Sequence, residues 1–182
     1  MPEIDIERLL LVVVGAHLKA EAADRPIAYR LQQAVNEKLD QLADPPDLVI
    51  SLVCSDVWYL NNDELHDRPV ICIGGPGVNA LSAYLYPRLA SALQVDQQLV
   101  IQLDPEFDDL RVNIWGMSHG ETAAAVDLFA QKYLDAYLQR VLEEQQEMED
   151  LFDADNNGST DDEPPSEDDD RAGGDEEEDG LI

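Results

Sequence analysis

Two glycine-rich segments carry the residue types that suit an anion-binding site. The first is Gly74-Gly75-Pro76-Gly77-Val78-Asn79, whose glycines let the backbone turn sharply and approach a ligand closely. Asn79 is a good cap for a following helix. The free N–H groups and the positive dipole end of such a helix favour a phosphate or a carboxylate. A tight strand-to-helix turn without a ligand explains the same residues, and both interpretations remain open here.

The second segment, Gly116 to Thr122, has the same layout. Two glycines flank Ser118 and His119, and Ser118 with Glu121 forms a Ser-x-x-Glu capping box that opens a helix. His119 could donate to an anion or act as an acid or base, although a loop histidine is often idle. Two such turns in one domain favour a shared pocket.

The carboxyl ends of parallel strands collect ligands, and two further segments fall there. His17 follows the apolar run Leu9 to Ala16, and Asp56 follows the run that ends at Cys54. The sequence therefore predicts a set of ligand-binding residues at one rim of the sheet. These are Gly74, Gly75, Gly77, Asn79, His17, Asp56, Ser118 and His119.

An enzymatic interpretation uses some of the same residues. Cys54 with His17 or His119 would give the nucleophile–base pair of a Cys/His hydrolase or transferase. Cys54 ends an apolar strand, where a packed thiol is the usual state, so no catalytic residue is assigned. His17, His66, His119 and Asp56 lack the spacing of metal ligands, and no metal site or cofactor is predicted.

The elements that position these residues read as an α/β order. Apolar runs predict five strands in a mostly parallel sheet, with the last two close enough for an antiparallel hairpin. Helical spacing predicts a helix starting near Asp24 and Pro26, one after Asn79 with a kink at Pro87, and a long one from Ser118 that frays before Asp153. The five predicted strands are Leu9–Gly15, Leu48–Cys54, Pro69–Ile73, Gln98–Leu103 and Arg111–Trp115.

The 182-residue chain has a formal net charge of −29, unevenly distributed. From Glu149 to Ile182 there are 16 acidic residues and one basic residue, Arg171. This segment has too few apolar residues to offset the entropy of ordering, so residues 151–182 are predicted to be a disordered acidic tail after an α/β domain over residues 1–150. Solubility, a regulatory role and binding of a basic protein through the tail all fit this composition.

The same charge excludes several classes of partner. No basic stripe is present to neutralise phosphates, which argues against nucleic acid and anionic membranes as partners.

The longest apolar run, Leu9 to Ala16, is too short to span a bilayer, and the acidic N-terminal residues lack the basic flank of a secretory signal. Cys54 and Cys72 lie within apolar runs, as free thiols do in a reducing compartment. We therefore expect a cytoplasmic protein.

The glycine turns also resemble a known pattern. The stretch Ile71 to Asn79, with the later Trp115-Gly116 and Glu121 to Val126, is similar to the Gly-Gly-Pro-x-x-Asn turn and the Gly…Asp-Thr-x-x-Ala helix start of archaeal surface-layer proteins. Type-2 cell-wall-binding repeats and Rossmann-like domains of bacterial conflict systems look distantly alike. The resemblance covers residues 47–138 and implies a Rossmann-like three-layer sandwich without a specific reaction. The chain lacks the signal peptide and the repeats of those surface proteins.

Together these features predict an α/β domain that binds an anionic small molecule or a nucleotide at its glycine turns. Two alternatives are retained. One is an acidic module that binds a basic protein, and the other is the Cys/His hydrolase or transferase.

Overall fold

The computed structural model describes residues 5–43, 48–95 and 98–157 of the chain. They form an α/β fold with a six-stranded sheet and flanking helices. The strands are β1 (Leu9–Val14), β2 (Ile50–Ser55), β3 (Val70–Ile73), β4 (Ser91–Val95), β5 (Leu99–Gln102) and β6 (Arg111–Gly116). The helices are α1 (Leu18–Leu42), α2 (Asp56–Leu60), α3 (Ala80–Leu85), α4 (His119–Lys132) and α5 (Leu134–Asn157), with 3-10 helices at Ile6–Arg8 and Asp63–Leu65.

The sheet is mostly parallel and has the strand order β2-β1-β3-β6-β5-β4. The β2–β1, β1–β3 and β3–β6 pairs are parallel, whereas β6–β5 and β5–β4 are antiparallel. The predicted antiparallel pairing of the last two sequence-predicted strands is confirmed. The carboxyl ends of β1, β2, β3 and β6 therefore meet at one edge, where the connections to α1, α2, α3 and α4 begin.

The two faces of the sheet are covered unequally. Every residue of β1 is buried, and alternate side chains point to opposite faces. Leu10, Val12 and Val14 pack in a large core beneath α1, α4 and α5. Leu9, Leu11 and Val13 pack in a smaller core beneath α2 and α3. This double burial explains why β1 is an uninterrupted apolar run.

The five predicted strands are all present as β1, β2, β3, β5 and β6, but the sheet has a sixth strand, β4, that was not predicted. Its residues Ser91 to Val95 are half-buried or exposed at the end of the sheet, so they show no apolar run. The helix predicted to pass Pro87 also differs, because α3 ends at Leu85. Proline cannot donate the backbone bond that a continuing helix requires, and the chain turns into β4.

Helix α1 begins earlier than predicted. It starts at Leu18, and Pro26 lies inside it. A proline within a helix removes one backbone hydrogen bond. Burial of the long apolar face of α1 offsets that loss. As a consequence Asp24 lies in the second turn of the helix and faces the protein interior, instead of lying near a helix start.

The C-terminal helical segment is divided. Its first part, α4, ends at Lys132, and α5 follows after Tyr133. Helix α5 then continues to Asn157, past the predicted end before Asp153. The rest of the predicted acidic tail, residues 158–182, lies outside the described residues.

Candidate functional site

A cavity of about 490 Å³ lies at the carboxyl edge of the sheet, beside β3 and β6. Its walls come from four segments: the first turns of α1, the loop after β3, the end of β6 and the start of α4. Both glycine-rich turns therefore line the same cavity. Polar groups on its wall include Lys19, Asp24, Ser118 and His119, and Trp115 with Val78 contributes apolar surface.

The turn after β3 leaves backbone donors unused. Gly74 adopts a φ of +104°, which strongly favours glycine, and its N–H donates to the Ile114 carbonyl at 3.0 Å. The Gly75 carbonyl accepts from the N–H groups of Val78 and Asn79. The amides of Gly75 and Gly77 donate to no acceptor among the described residues. A Cβ at Gly77 would meet no atom within 4 Å, so steric crowding does not explain this glycine.

The start of α4 presents a similar set of donors. The Ser118 side chain accepts from the Glu121 N–H at 3.3 Å, which confirms Ser118 as the N-cap. The Ser118 carbonyl accepts from the Thr122 N–H at 2.9 Å. Within the described ranges the amides of His119 and Gly120 have no acceptor, as expected for the first turn of a helix. The positive end of the dipole of this 14-residue helix adds to their attraction for an anion.

Asp24 is a cavity residue that the sequence did not indicate. Only 6% of its surface is exposed, yet its carboxylate accepts no hydrogen bond from any residue the structure describes. A Cβ on Gly74 would lie 2.7 Å from Asp24 Oδ2, so the missing side chain of Gly74 makes room for this carboxylate. Burial raises the pKa of Asp24, and the nearby charge of His119 opposes that shift. The sequence placed Asp24 near the start of α1, whereas the helix begins at Leu18 and Asp24 lies inside it.

Trp115 is a cavity-lining residue whose buried ring nitrogen has no hydrogen-bond partner among the described residues. It is 9% exposed, and its Nε1 makes no hydrogen bond to the described part of the chain. Its ring packs edge-on against Tyr86, with centroids 5.8 Å apart, and lies next to Gly75. The cavity wall thus combines apolar surface with a buried acceptor, Asp24, and a buried donor.

Asp56 and Asn79 form a buried pair, here called the bracket, in which every side-chain oxygen and nitrogen atom makes a hydrogen bond. Asp56 Oδ1 accepts from the Ala16 N–H at 2.7 Å and the Val57 N–H at 2.8 Å, and Oδ2 accepts from the Ala80 N–H at 2.7 Å. Asn79 caps α3 through Oδ1, while its Nδ2 donates to the carbonyls of Ile73 and Val13. Their hydrogen bonds therefore link the carboxyl ends of β1, β2 and β3.

His17 lies outside the cavity. It is exposed and caps α1 by accepting the Lys19 N–H at its Nδ1, at 3.1 Å. Of the eight residues predicted to bind a ligand, the structure brings Gly75, Gly77, Ser118 and His119 to the cavity wall. Gly74 supports the wall through its contact with Asp24, and Asp56 and Asn79 lie in the bracket.

The cysteine chemistry of the hydrolase hypothesis finds little support. Cys54 and Cys72 are free, buried thiols in the smaller core beneath α2 and α3. Burial raises the pKa of Cys54 to about 12, and it raises the pKa of Cys72 well above its ordinary value. Because the thiolate is the nucleophile, a thiol with such a pKa is almost fully protonated at neutral pH.

Among the described residues, no group of three or more histidine, cysteine, aspartate or glutamate side chains is placed to hold a metal ion. No described helix combines the length and the apolar character needed to cross a bilayer. No protein-family model matches this chain, and no curated protein matches its sequence at a significant level.

Proposed function

We propose that this chain is a Rossmann-like domain that binds an anionic small molecule, of which nucleotides are the leading class. The observation that carries the proposal is that both glycine turns line one cavity, while the amides of Gly75, Gly77 and His119 donate to no acceptor within residues 5–43, 48–95 and 98–157. Backbone N–H groups of this kind bind phosphate or carboxylate oxygens. Lys19 on the wall adds a positive charge.

The size and location of the cavity also support a ligand site. Its volume of about 490 Å³ lies within the range of small-molecule pockets, roughly 300–1,000 Å³. It lies at the carboxyl ends of β3 and β6, which are parallel neighbours in the sheet. Open α/β sheets bind ligands beyond the carboxyl ends of their strands.

A thermal-shift screen of the full chain with phosphate, pyrophosphate, mononucleotides and dinucleotides tests this function. A ligand at 100 times its Kd should stabilise the protein by about 2.7 kcal/mol, a rise in Tm of about 5–10 °C. Gly77→Val should abolish the rise, because a branched side chain there would occupy the cavity.

A matched pair of charge variants controls the screen. Lys19→Gln should weaken binding, whereas Lys132→Gln removes the same charge from the exposed end of α4 and should leave binding unchanged. Failure of every compound to raise the Tm, or equal binding by the Gly77→Val variant, would contradict the proposal.

The two alternatives have different support. The buried, protonated Cys54 argues against the Cys/His hydrolase. Binding of a basic protein rests on the acidic composition alone and remains a prediction, since most of the acidic tail lies outside the described residues.

A further inference from the structure

Asp24 is only 6% exposed, and its carboxylate forms no hydrogen bond or ion pair with the residues that the structure describes. The adjacent cation, Arg25, is engaged by Glu21 at 2.5 Å, and Lys19 is exposed to solvent. An ionised carboxylate that is removed from water without a hydrogen bond costs free energy. Folding alone therefore does not explain why an acidic residue lies at this point of α1.

The position of Asp24 indicates which part of a ligand it would meet. The carboxylate lies against the Gly74 backbone, where the absence of a side chain makes room for it, and it shares the cavity wall with His119. The unpaired amides belong to the turns on either side, at Gly75 to Gly77 and at the start of α4. Apolar surface from Trp115, Ala23 and Val78 fills the rest of the wall.

We infer that the ligand carries a hydrogen-bond donor, a hydroxyl or an ammonium group, beside its anionic group, and that Asp24 accepts a hydrogen bond from that donor. This inference rests on the proposed anion site. The amides would bind the anion, and the carboxylate would select compounds that also present a donor. A plain anion would place its charge near Asp24 without compensation, so the site discriminates against it.

A bound metal ion is a weaker explanation of the same carboxylate. A metal site needs several ligands, and no group of three suitable side chains occurs in the described part of the chain. The donor on the ligand is the simpler partner, because a charge-assisted hydrogen bond to one carboxylate requires no further protein group.

Two matched pairs of phosphate esters test the inference by calorimetric titration of the full chain. Glycerol 3-phosphate is compared with propyl phosphate, and 2-aminoethyl phosphate with ethyl phosphate. We expect at least one donor-bearing ester to bind about 10- to 100-fold more tightly than its partner, the range for a hydrogen bond to a charged group. The pair that shows the preference identifies the donor as hydroxyl or ammonium.

Variants at Asp24 link the preference to this residue. Asp24→Ala should remove the preference and leave the affinity for propyl phosphate or ethyl phosphate undiminished. Asp24→Asn should remove a preference for ammonium, which needs the charge, and retain part of a preference for hydroxyl. Asp40→Asn, an exposed position on the same helix, is the control and should change nothing. Circular dichroism confirms that each variant is folded.

The outcomes separate this inference from the proposed function. If the simple esters bind but neither pair shows a preference, or if the Asp24→Ala variant keeps the preference, the donor inference is wrong and the anion site stands. If none of the four esters binds, the donor inference is overturned; if inorganic phosphate, pyrophosphate and the nucleotides also fail to bind, the proposed function is overturned with it. Enhanced binding of Mg²⁺ that depends on Asp24 would replace the donor inference with a metal site.

Discussion

The carboxyl edge of the sheet has a closed half and an open half. The closed half is the bracket of Asp56 and Asn79, whose side-chain oxygens and amide all bond to backbone groups of the protein. The open half is the cavity, where Trp115 Nε1 has no partner among the described residues. The carboxylate of Asp24 and several backbone amides on the cavity wall also form no hydrogen bond within the described part of the chain. The two halves are close in the sequence: Gly77 lines the cavity, and Asn79, two residues later, belongs to the bracket.

This contrast shows that residue type and location at a strand end do not by themselves make a binding residue. Asp56 and Asp24 are both buried carboxylates. Asp56 accepts three backbone hydrogen bonds, whereas Asp24 accepts none from the described residues. A full account of donors and acceptors separates a structural acid from one that is left for a ligand.

The largest effect should come from breaking the closed half. Asp56→Ala leaves the amides of Ala16, Val57 and Ala80 without their acceptor, and we expect a loss of about 3–5 kcal/mol in the free energy of unfolding. Asp56→Asn keeps one acceptor oxygen and should cost clearly less. Urea unfolding followed by circular dichroism measures both. A loss below 1 kcal/mol for Asp56→Ala would show that the bracket is not structural.

Alanine substitutions at Gly116 and Gly77 should give stability changes of intermediate size. A Cβ at Gly116 would lie 2.4 Å from Glu121 Cβ and 2.5 Å from the backbone nitrogen of Thr122, so Gly116→Ala should destabilise the protein by about 1–3 kcal/mol. Gly77→Ala adds the same methyl group where no atom lies within 4 Å, and its stability should change by no more than about 0.5 kcal/mol. Equal losses in thermal unfolding of the two variants would contradict this difference in crowding within the open half.

The smallest effect concerns Asp24 and has the opposite sign. Burial raises the pKa of this carboxyl above its ordinary value of 3.8, so the folded state binds its proton more tightly than the unfolded state does. The wild-type protein therefore loses stability from this group as the pH rises above 3.8. Asp24→Asn should be more stable than wild type by about 1–2 kcal/mol at pH 7, by removing an unpaired buried charge.

The pH dependence provides the control for that prediction. The stability gap between Asp24→Asn and wild type should narrow as the pH falls through the raised pKa of the folded protein and level off below 3.8, where the carboxyl is protonated in both the folded and the unfolded state. Unfolding at a series of pH values, with the two proteins in parallel, cancels the contributions of all other acidic groups. A gap that is constant with pH would show that the pKa of Asp24 is the same in the folded and unfolded protein, so that burial does not raise it.

Much of this architecture was predictable because burial on both faces imposes apolar runs on β1 and β3. The two glycine turns were predictable as well, since their glycines occur at strand ends. Strand β4 and the start of α1 were not predictable in this way. The residues of β4 are half-buried or exposed and form no apolar run. Helix α1 begins eight residues before Pro26, although a proline normally indicates the start of a helix.

The same reasons limited the prediction of the site. Gly75, Gly77, Ser118 and His119 could be found from local pattern, because helix caps and glycine turns are local features. The partnerships of Asp56 with Ala16 and Ala80 span 40 and 24 residues, and no local pattern reveals them. Asp24 was missed because its importance depends on facing a turn 50 positions away in the chain.

The most direct test of the central claim is a titration of the isotope-labelled protein with inorganic phosphate, followed by the backbone amide resonances in NMR spectra. We expect saturable shifts concentrated at Gly75, Gly77, His119 and Gly120, whose amides have no acceptor among the described residues. No comparable shifts are expected at Ala16 and Ala80, whose amides donate to Asp56. Saturable shifts at other sites only, or none at these four amides when phosphate, pyrophosphate and nucleotides are added in turn, would contradict this claim.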